Sequence, residues 1–210
     1  MKNYKVKRAI SYFVDLIIIS IIISLLSNIK AINPKYEEYR EAYSKYTEKI
    51  NGAVQNDNTT YIMDKEMEHI MYEISYYSIS YTIIECAVII LYFTLFPALF
   101  DGQTIGKKLL KLKIVDEESE QKTSLFKYFI RSLLQPMFST GLFYCSLTLI
   151  GNLLFLVIFK ENHFVTINKV FMMTGIIWGY VDTIYCLSRD DHKSIHDTIT
   201  KTRVIDVTNK

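Results

Sequence analysis

The apolar residues of this chain fall into four blocks, at about 9–27, 77–100, 132–159 and 170–187, and none of the blocks contains a Lys or Arg. A soluble domain would spread such residues over helix faces and alternating strands. An uncharged stretch of about 18 to 25 residues is instead long enough to cross a bilayer as a helix. The blocks therefore predict four transmembrane helices. The first follows Lys2, Lys5, Lys7 and Arg8 and has the outline of a secretory signal. It is longer than a signal core, however, carries Asp15, and meets no small-x-small cleavage site before Asn33-Pro34. It is read as a span. The formal net charge of +2, with no Lys/Arg run interleaved with aromatics, argues against nucleic acid as a partner. Cys86, Cys145 and Cys186 stand singly inside apolar blocks, without CxxC spacing, and read as reduced core residues.

Orientation follows from Lys and Arg, which cytoplasmic loops retain during insertion, while Asp and Glu count for little. These cations gather before the first block, between the second and third (Lys107, Lys108, Lys111, Lys113, Lys122, Lys127, Arg131) and after the fourth (Arg189, Lys193, Lys201, Arg203). Both termini are thereby expected in the cytoplasm of a cell whose plasma membrane the chain crosses several times. The division is a cytoplasmic N-terminus and first span over 1–27, an extracytoplasmic insertion over 28–75, and a second span over 76–100. There follow a cytoplasmic turn, strand and amphipathic helix over 101–131, a third span over 132–159, and a short external loop over 160–169. A fourth span over 170–187 and a cytoplasmic tail with a strand over 188–210 complete it.

Tyr36, Tyr39, Tyr43 and Tyr46 recur at helical spacing in the insertion, which reads as a helical hairpin whose second arm, from about Thr60, runs into the second span. Its tip, 51–60, is polar and carries an Asn-Thr-Thr sequon. Pro136 and Gly141 permit a kink near the start of the third span. Residues 124–134 place Leu125, Phe126, Phe129, Ile130, Leu133 and Leu134 against Lys127 and Arg131, the pattern of a helix lying on the inner leaflet.

The segments after the second and fourth blocks align without a gap. Residues 103–116 (QTIGKKLLKLKIVD) meet 193–206 (KSIHDTITKTRVID), pairing Ile105 with Ile195, Lys111 with Lys201, Lys113 with Arg203 and Asp116 with Asp206. Each reads as a turn followed by a short strand, and two such strands can pair as a cytoplasmic ribbon. Arg8 and Arg131 precede the first and third spans, so the chain reads as two parallel copies of arginine, helix, helix, strand, related by an axis along the membrane normal. Chance likeness of composition between two membrane hairpins is the alternative.

Arg8-Ala-Ile-Ser-Tyr-Phe-Val-Asp15, Gly102-Gln-Thr-Ile-Gly-Lys-Lys-Leu-Leu, Arg131 and His196-Asp197 resemble the RDD family of bacterial membrane proteins. The likeness covers nearly the whole chain except the external insertion. It implies a polytopic membrane protein, with transport the usual suggestion and no substrate. The family takes its name from an arginine and two aspartates, which on this resemblance are Arg8, Asp15 and Asp197, with Asp101 as the rival for the last. Asp101, Gly102, Thr104, Gly106, Lys107, His196 and Asp197 form the corresponding cytoplasmic motif.

Asp15 lies about 9 Å inside the first span at 1.5 Å per residue, where a charge costs roughly 2.5 kcal/mol or more unless paired, hydrated or protonated. Arg8, seven residues earlier, shares its helix face. Asp182 lies at a similar depth in the fourth span and Glu85 deeper in the second, so Asp15, Arg8, Asp182, Glu85 and Arg131 form a candidate ion or ligand site. The blander alternative is that Arg8 and Asp15 are a paired anchor fixing helix register. In 190–197 (DDHKSIHD), His192 and His196 would share a face if helical, as metal ligands do, but Lys193 intrudes and no cysteine joins. Asp190 and Asp191 are instead read as helix caps, with Asp197 bonded to a repeat lysine or to the 102–106 turn, and no metal is expected. The glycines and lysines of 102–108 do not follow GxxxxGK[ST], so no nucleotide is expected. No nucleophile constellation is present, which argues against an enzyme and leaves no cofactor.

The expected architecture is thus an all-α membrane protein of four transmembrane helices in two parallel hairpin repeats, with an external helical insertion and a small cytoplasmic β-ribbon. Two functions remain open. One is movement of a cation or small solute through a protonatable site at Asp15, with Asp182, in a homo-oligomer, since four helices are few for an alternating-access machine. The other is a non-transporting scaffold or accessory subunit that binds a membrane or secreted protein through the 28–75 insertion.

Overall fold

The computed structural model of the chain describes residues 2–55, 64–135, 142–154 and 164–208, and their side chains except those of 2, 3, 164–169, 171 and 172. Without a Gly or Pro to interrupt it, the first apolar block forms one helix, α1 (Lys2–Ser27). Polar side chains close it: Ser27 Oγ donates to the Ile23 carbonyl and Asn28 Nδ2 to that of Ser24, both at 2.7 Å. The insertion is a helical hairpin of α2 (Tyr36–Gln55) and α3 (Lys65–Tyr77), packed on each other. Asp64 fixes it twice, accepting the Met67 amide as the cap of α3 and the Lys49 ammonium of α2 at 2.8 Å. The sequon at Asn58 lies outside the described residues.

As expected, α3 leads into the second apolar block, with Ser78 alone between it and α4 (Ile79–Ile90). A π-turn over Leu91–Leu95 follows, closed by the Phe96 amide on the Leu91 carbonyl, and then α5 (Phe96–Leu99). Pro97 has no amide to give an α-helical ladder, and the wider turn accommodates this. Tyr4–Ser27 and Ile79–Leu99 are both long and apolar enough to cross a membrane.

The start of the third block differs from the sequence reading. Ser132 belongs to the amphipathic helix α7 (Leu125–Leu134), which stops at Gln135 in an extended conformation, as the residue before a proline prefers. Apolar helix resumes as α8 (Leu142–Gly151). Pro136, Gly141 and residues 155–163 lie outside the described residues. The fourth block is contained in α9 (Phe164–Ser188).

Polarity runs inside out along these helices. On α1, Ser11, Asp15 and Ser27 are buried while Phe13, Ile17, Ile21 and Leu25 are exposed. On α9, Asp182 is buried and Met173, Ile177, Ile184 and Leu187 are exposed, and α7 turns Arg131 and Ser132 inward with Leu125 and Phe126 outward. Water would favour the opposite arrangement, so these surfaces suit lipid.

The aligned segments adopt the same structure ninety residues apart: α6 (Ile105–Leu109) with β1 (Leu112–Asp116), and α10 (Ile195–Ile199) with β2 (Thr202–Asp206). Thr104 and Ser194 cap the two helices through their side chains, and Lys111 and Lys201 turn into the strands at φ of 56° and 48°. The strands pair antiparallel with Ile114 opposite Val204, which are themselves aligned positions, so a local twofold passes through that pair. Leu112, Ile114, Tyr128 and Val204 form a small core beneath the ribbon, separate from the larger one between the long helices.

Candidate functional site

Asp15 is fully buried and its oxygens are saturated. Oδ1 accepts the Tyr92 hydroxyl at 2.6 Å and the Gly106 amide at 2.8 Å; Oδ2 accepts the Thr104 hydroxyl at 2.6 Å, with Lys107 Nζ at 3.5 Å. The carboxylate therefore sits on the first turn of α6 and holds it to α1. The helices touch so closely that a Cβ on Gly106 would lie 2.2 Å from the Ser11 carbonyl oxygen and 2.8 Å from Asp15 Oδ1. Tyr92 reaches this point from the π-turn, which also turns Thr94 to the hydroxyl of Ser132 on α7, 2.9 Å away.

Asp182 does the same for α10. Its Oδ1 accepts the amides of Ile195 at 2.8 Å and His196 at 3.3 Å, and its Oδ2 lies 3.1 Å from His196 Nδ1. The other ring nitrogen is 2.9 Å from Ser194 Oγ. Burial and the nearby Arg131 guanidinium depress the imidazole to about 4, against the pull of Asp182, so His196 is neutral at pH 7. Tyr92 and Asp182 are also ninety residues apart, so equivalent places in the two halves approach equivalent short helices.

Asp197 completes the cluster. It is fully buried and receives Arg8 Nη2 on Oδ2 at 2.8 Å and Arg131 Nη1 on Oδ1, while Ser194 Oγ donates to Oδ2 at 2.7 Å. Arg8 also donates to the His192 carbonyl at 2.5 Å and Arg131 to Thr202 Oγ1 at 3.0 Å. Arg8, Arg131 and Lys107 thus balance Asp15, Asp182 and Asp197, which makes so much buried charge tolerable. Desolvation still pushes Lys107 down to about 8, more strongly than Asp15 raises it.

Several pairings differ from those expected. Arg8 turns to Asp197 rather than to Asp15, and Asp15 and Asp182 anchor separate helices rather than sharing a site. Asp197 bonds the two arginines instead of a repeat lysine; the 102–106 turn goes to Asp15. Asp190 and Asp191 do not cap α10, a role taken by Ser194 in a capping box with Asp197, and His192 has φ of 53° and shares no helical face with His196. Among the described residues no group of three His, Cys, Asp or Glu is placed to hold a metal. Asp101 is exposed and paired with Lys113 at 2.6 Å, and Gly102, at φ of 79°, packs on the Ile114 carbonyl. Tyr92 and Ser194 escaped the sequence reading; only the ninety-residue offset to Asp182 could have pointed to Tyr92.

Two cavities flank this cluster. One, of about 260 Å³, opens at the ribbon end and is lined by Tyr12, Arg8, Lys107, Arg131, Asp182 and His196 among others. The second, of about 360 Å³, lies toward the α2–α3 hairpin, with Glu85, serines of α1 and four tyrosines in its walls. Asp15 lines neither.

Bilayer-length helices, inward-facing polar groups and apolar outer surfaces suggest a helical membrane protein. The model of the RDD family matches residues 5–201, and the chain belongs to that family. No curated protein and no solved structure matches it.

Proposed function

We propose that this protein carries a small cation or polar solute across the bilayer along the inner face of α1. The observation behind this reading is the stacking of the two cavities on that helix. Arg8 and Tyr12 line the ribbon-end cavity, and Leu16, Ile19, Ser20, Ile23 and Ser27 continue the same stripe in the hairpin-end cavity. Tyr12 and Leu16 are one turn apart, so the barrier along the helix is about 6 Å deep. Asp182 and Glu85 supply protonatable groups on either side of it. Asp15, saturated by its donors, holds the wall at that level.

Parity of crossings supports four spans. Tyr4 Oη donates to the Val204 carbonyl at 2.5 Å and Lys7 pairs with Asp206 at 2.6 Å, so the start of α1 lies beside β2, and β2 is bonded to β1. All three points share one side of the membrane, so the chain crosses an even number of times between each. α1 with Ile79–Leu99 accounts for the first pair, and α8 with α9 for the second, giving two parallel hairpins. The cationic loops support a cytoplasmic position for the ribbon and both termini. In this reading Arg8, Asp15 and Asp197 are the family's arginine and aspartates, because Asp197 is buried between both arginines whereas Asp101 is a surface residue.

Purified protein in liposomes tests the proposal. Movement of H⁺, Na⁺, K⁺ or a small organic solute down a gradient, slowed by Asp182→Asn, is the expected result. Should the folded protein move none of them, the scaffold reading takes its place, with a protein partner on the 28–75 insertion.

A further inference from the structure

The hairpin-end cavity is chemically one-sided. Among the described residues its walls contain one carboxylate, Glu85, and no Lys, Arg or His. Glu85 is 8% exposed; its carboxyl group hydrogen-bonds with the Cys145 thiol, and among the described residues no cation pairs with it. Asn33, another wall residue, donates its amide to the Ser27 carbonyl at 3.1 Å, while its buried Oδ1 has no donor. Tyr36, Tyr39, Tyr77 and Tyr81 also line it, with Asn28 and serines of α1. An acidic group without a counterion, an acceptor without a donor and several electron-rich rings together present negative potential to whatever enters.

We infer that this cavity is a binding site for an organic ammonium ion, seated on the Glu85 carboxylate among the four tyrosines. Anions are excluded by the wall chemistry. A bare metal ion is a poor fit, because hard cations seek a close shell of oxygen ligands, several of them charged, and here a single carboxylate and neutral amide and hydroxyl groups line a volume of about 360 Å³. At about 30 Å³ for each water-sized group, the space holds roughly ten non-hydrogen atoms. A large, weakly hydrated cation gains from aromatic faces what a strongly hydrated one does not. The chain itself places an ammonium against the same aromatic wall: Lys35 Nζ lies 5.8 Å from the ring centre of Tyr77. This inference rests on the conduction reading in one respect, that the cavity is a station on the solute path, but binding and transport are measured separately.

Choline serves as the probe, its neutral isostere 3,3-dimethylbutan-1-ol as the control for shape, and Na⁺ as the control for charge, with the full chain in lipid nanodiscs and calorimetric titration. Saturable binding of choline is expected, with none of the isostere and no competition by Na⁺ at equal concentration. Glu85→Gln should weaken binding about thirtyfold and Tyr81→Leu about three- to tenfold. If Glu85→Gln fails to fold, the selectivity of the unaltered chain for choline over its isostere and the Tyr81→Leu effect decide. The inference is overturned by absence of saturable choline binding, by equal binding of the isostere, by displacement by Na⁺, or by folded variants that bind like the unaltered chain. Choline binding without flux in liposomes would remove the conduction reading and leave the site; flux without choline binding would remove the site alone.

Discussion

Buried carboxylates in this protein are distinguished by what they accept. Asp15 takes two hydroxyls and a backbone amide and holds a helix; Asp182 takes two amides and faces an imidazole that can itself titrate. His196 is packed between Asp182 of α9, Arg131 of α7 and Ser194 of its own turn, with Arg8 of α1 near, and is held at about 4. Because this lies below the usual value of about 6.5, the unfolded chain binds a proton that the fold refuses. Stability from this residue is therefore full above about pH 6.5 and is lost as pH falls toward 4, by up to about 3 kcal/mol. His196→Gln, which cannot titrate, should flatten that part of the stability profile. Trp178, whose Nε1 donates to the Leu134 carbonyl at 2.8 Å and so links α9 to α7, reports unfolding by fluorescence in detergent. Equal losses in both proteins between pH 6.5 and 4.5 would clear His196 of the role.

Short elements, rather than long ones, carry the cluster. α6 and α10 have five residues each and would not persist alone, since a helix so short does not repay its nucleation. Each is held by a side-chain cap and a carboxylate from a long helix. α10 is further tied by Asp197 to Arg8 and Arg131, across 189 and 66 residues of sequence. Replacing Asp197 by Ala leaves the buried Arg131 and the partly buried Arg8 guanidinium groups short of a partner and should destabilise the fold by about 3–5 kcal/mol. Combining Asp197→Asn with Arg8→Gln should cost less than the two single changes together by about 1 kcal/mol or more. Thermal midpoints of the three variants measure this, and additive losses would mean that the pair is not coupled. Here the limits of the sequence are physical. The strands were legible because aligned, alternating residues announce them, and α7 because its faces differ. Arg8 and Asp15 lie on one turn-spaced face of α1, which suggests a pair; the arginine instead reaches Asp197, 189 residues along the sequence, which no local pattern reveals. Tyr92 was hidden because an apolar span offers no reason to single out one tyrosine, and the π-turn that aims it depends on Pro97 five residues on.

At the scale of the molecule, the contacts that tie Tyr4 and Lys7 to β2, and β2 to β1, carry the proposed topology, because points in contact occupy one side of a membrane. The hydropathy blocks alone fix how many segments can cross; the ribbon says which of their ends meet. Val54, 69% exposed near the end of α2, and Glu118, in the turn after β1 with its side chain 78% exposed, lie on opposite sides in this arrangement. Single cysteines at these positions, in a chain whose own Cys86, Cys145 and Cys186 are replaced by serine, should react with an impermeant maleimide from opposite faces of sealed, oriented vesicles. Val54→Cys should label from outside and Glu118→Cys only after permeabilisation, the sense set by the lysines around the ribbon. Labelling of both from one face would mean that the second long helix does not cross. The two cavities would then open to the same solution, and the path along α1 would lead nowhere.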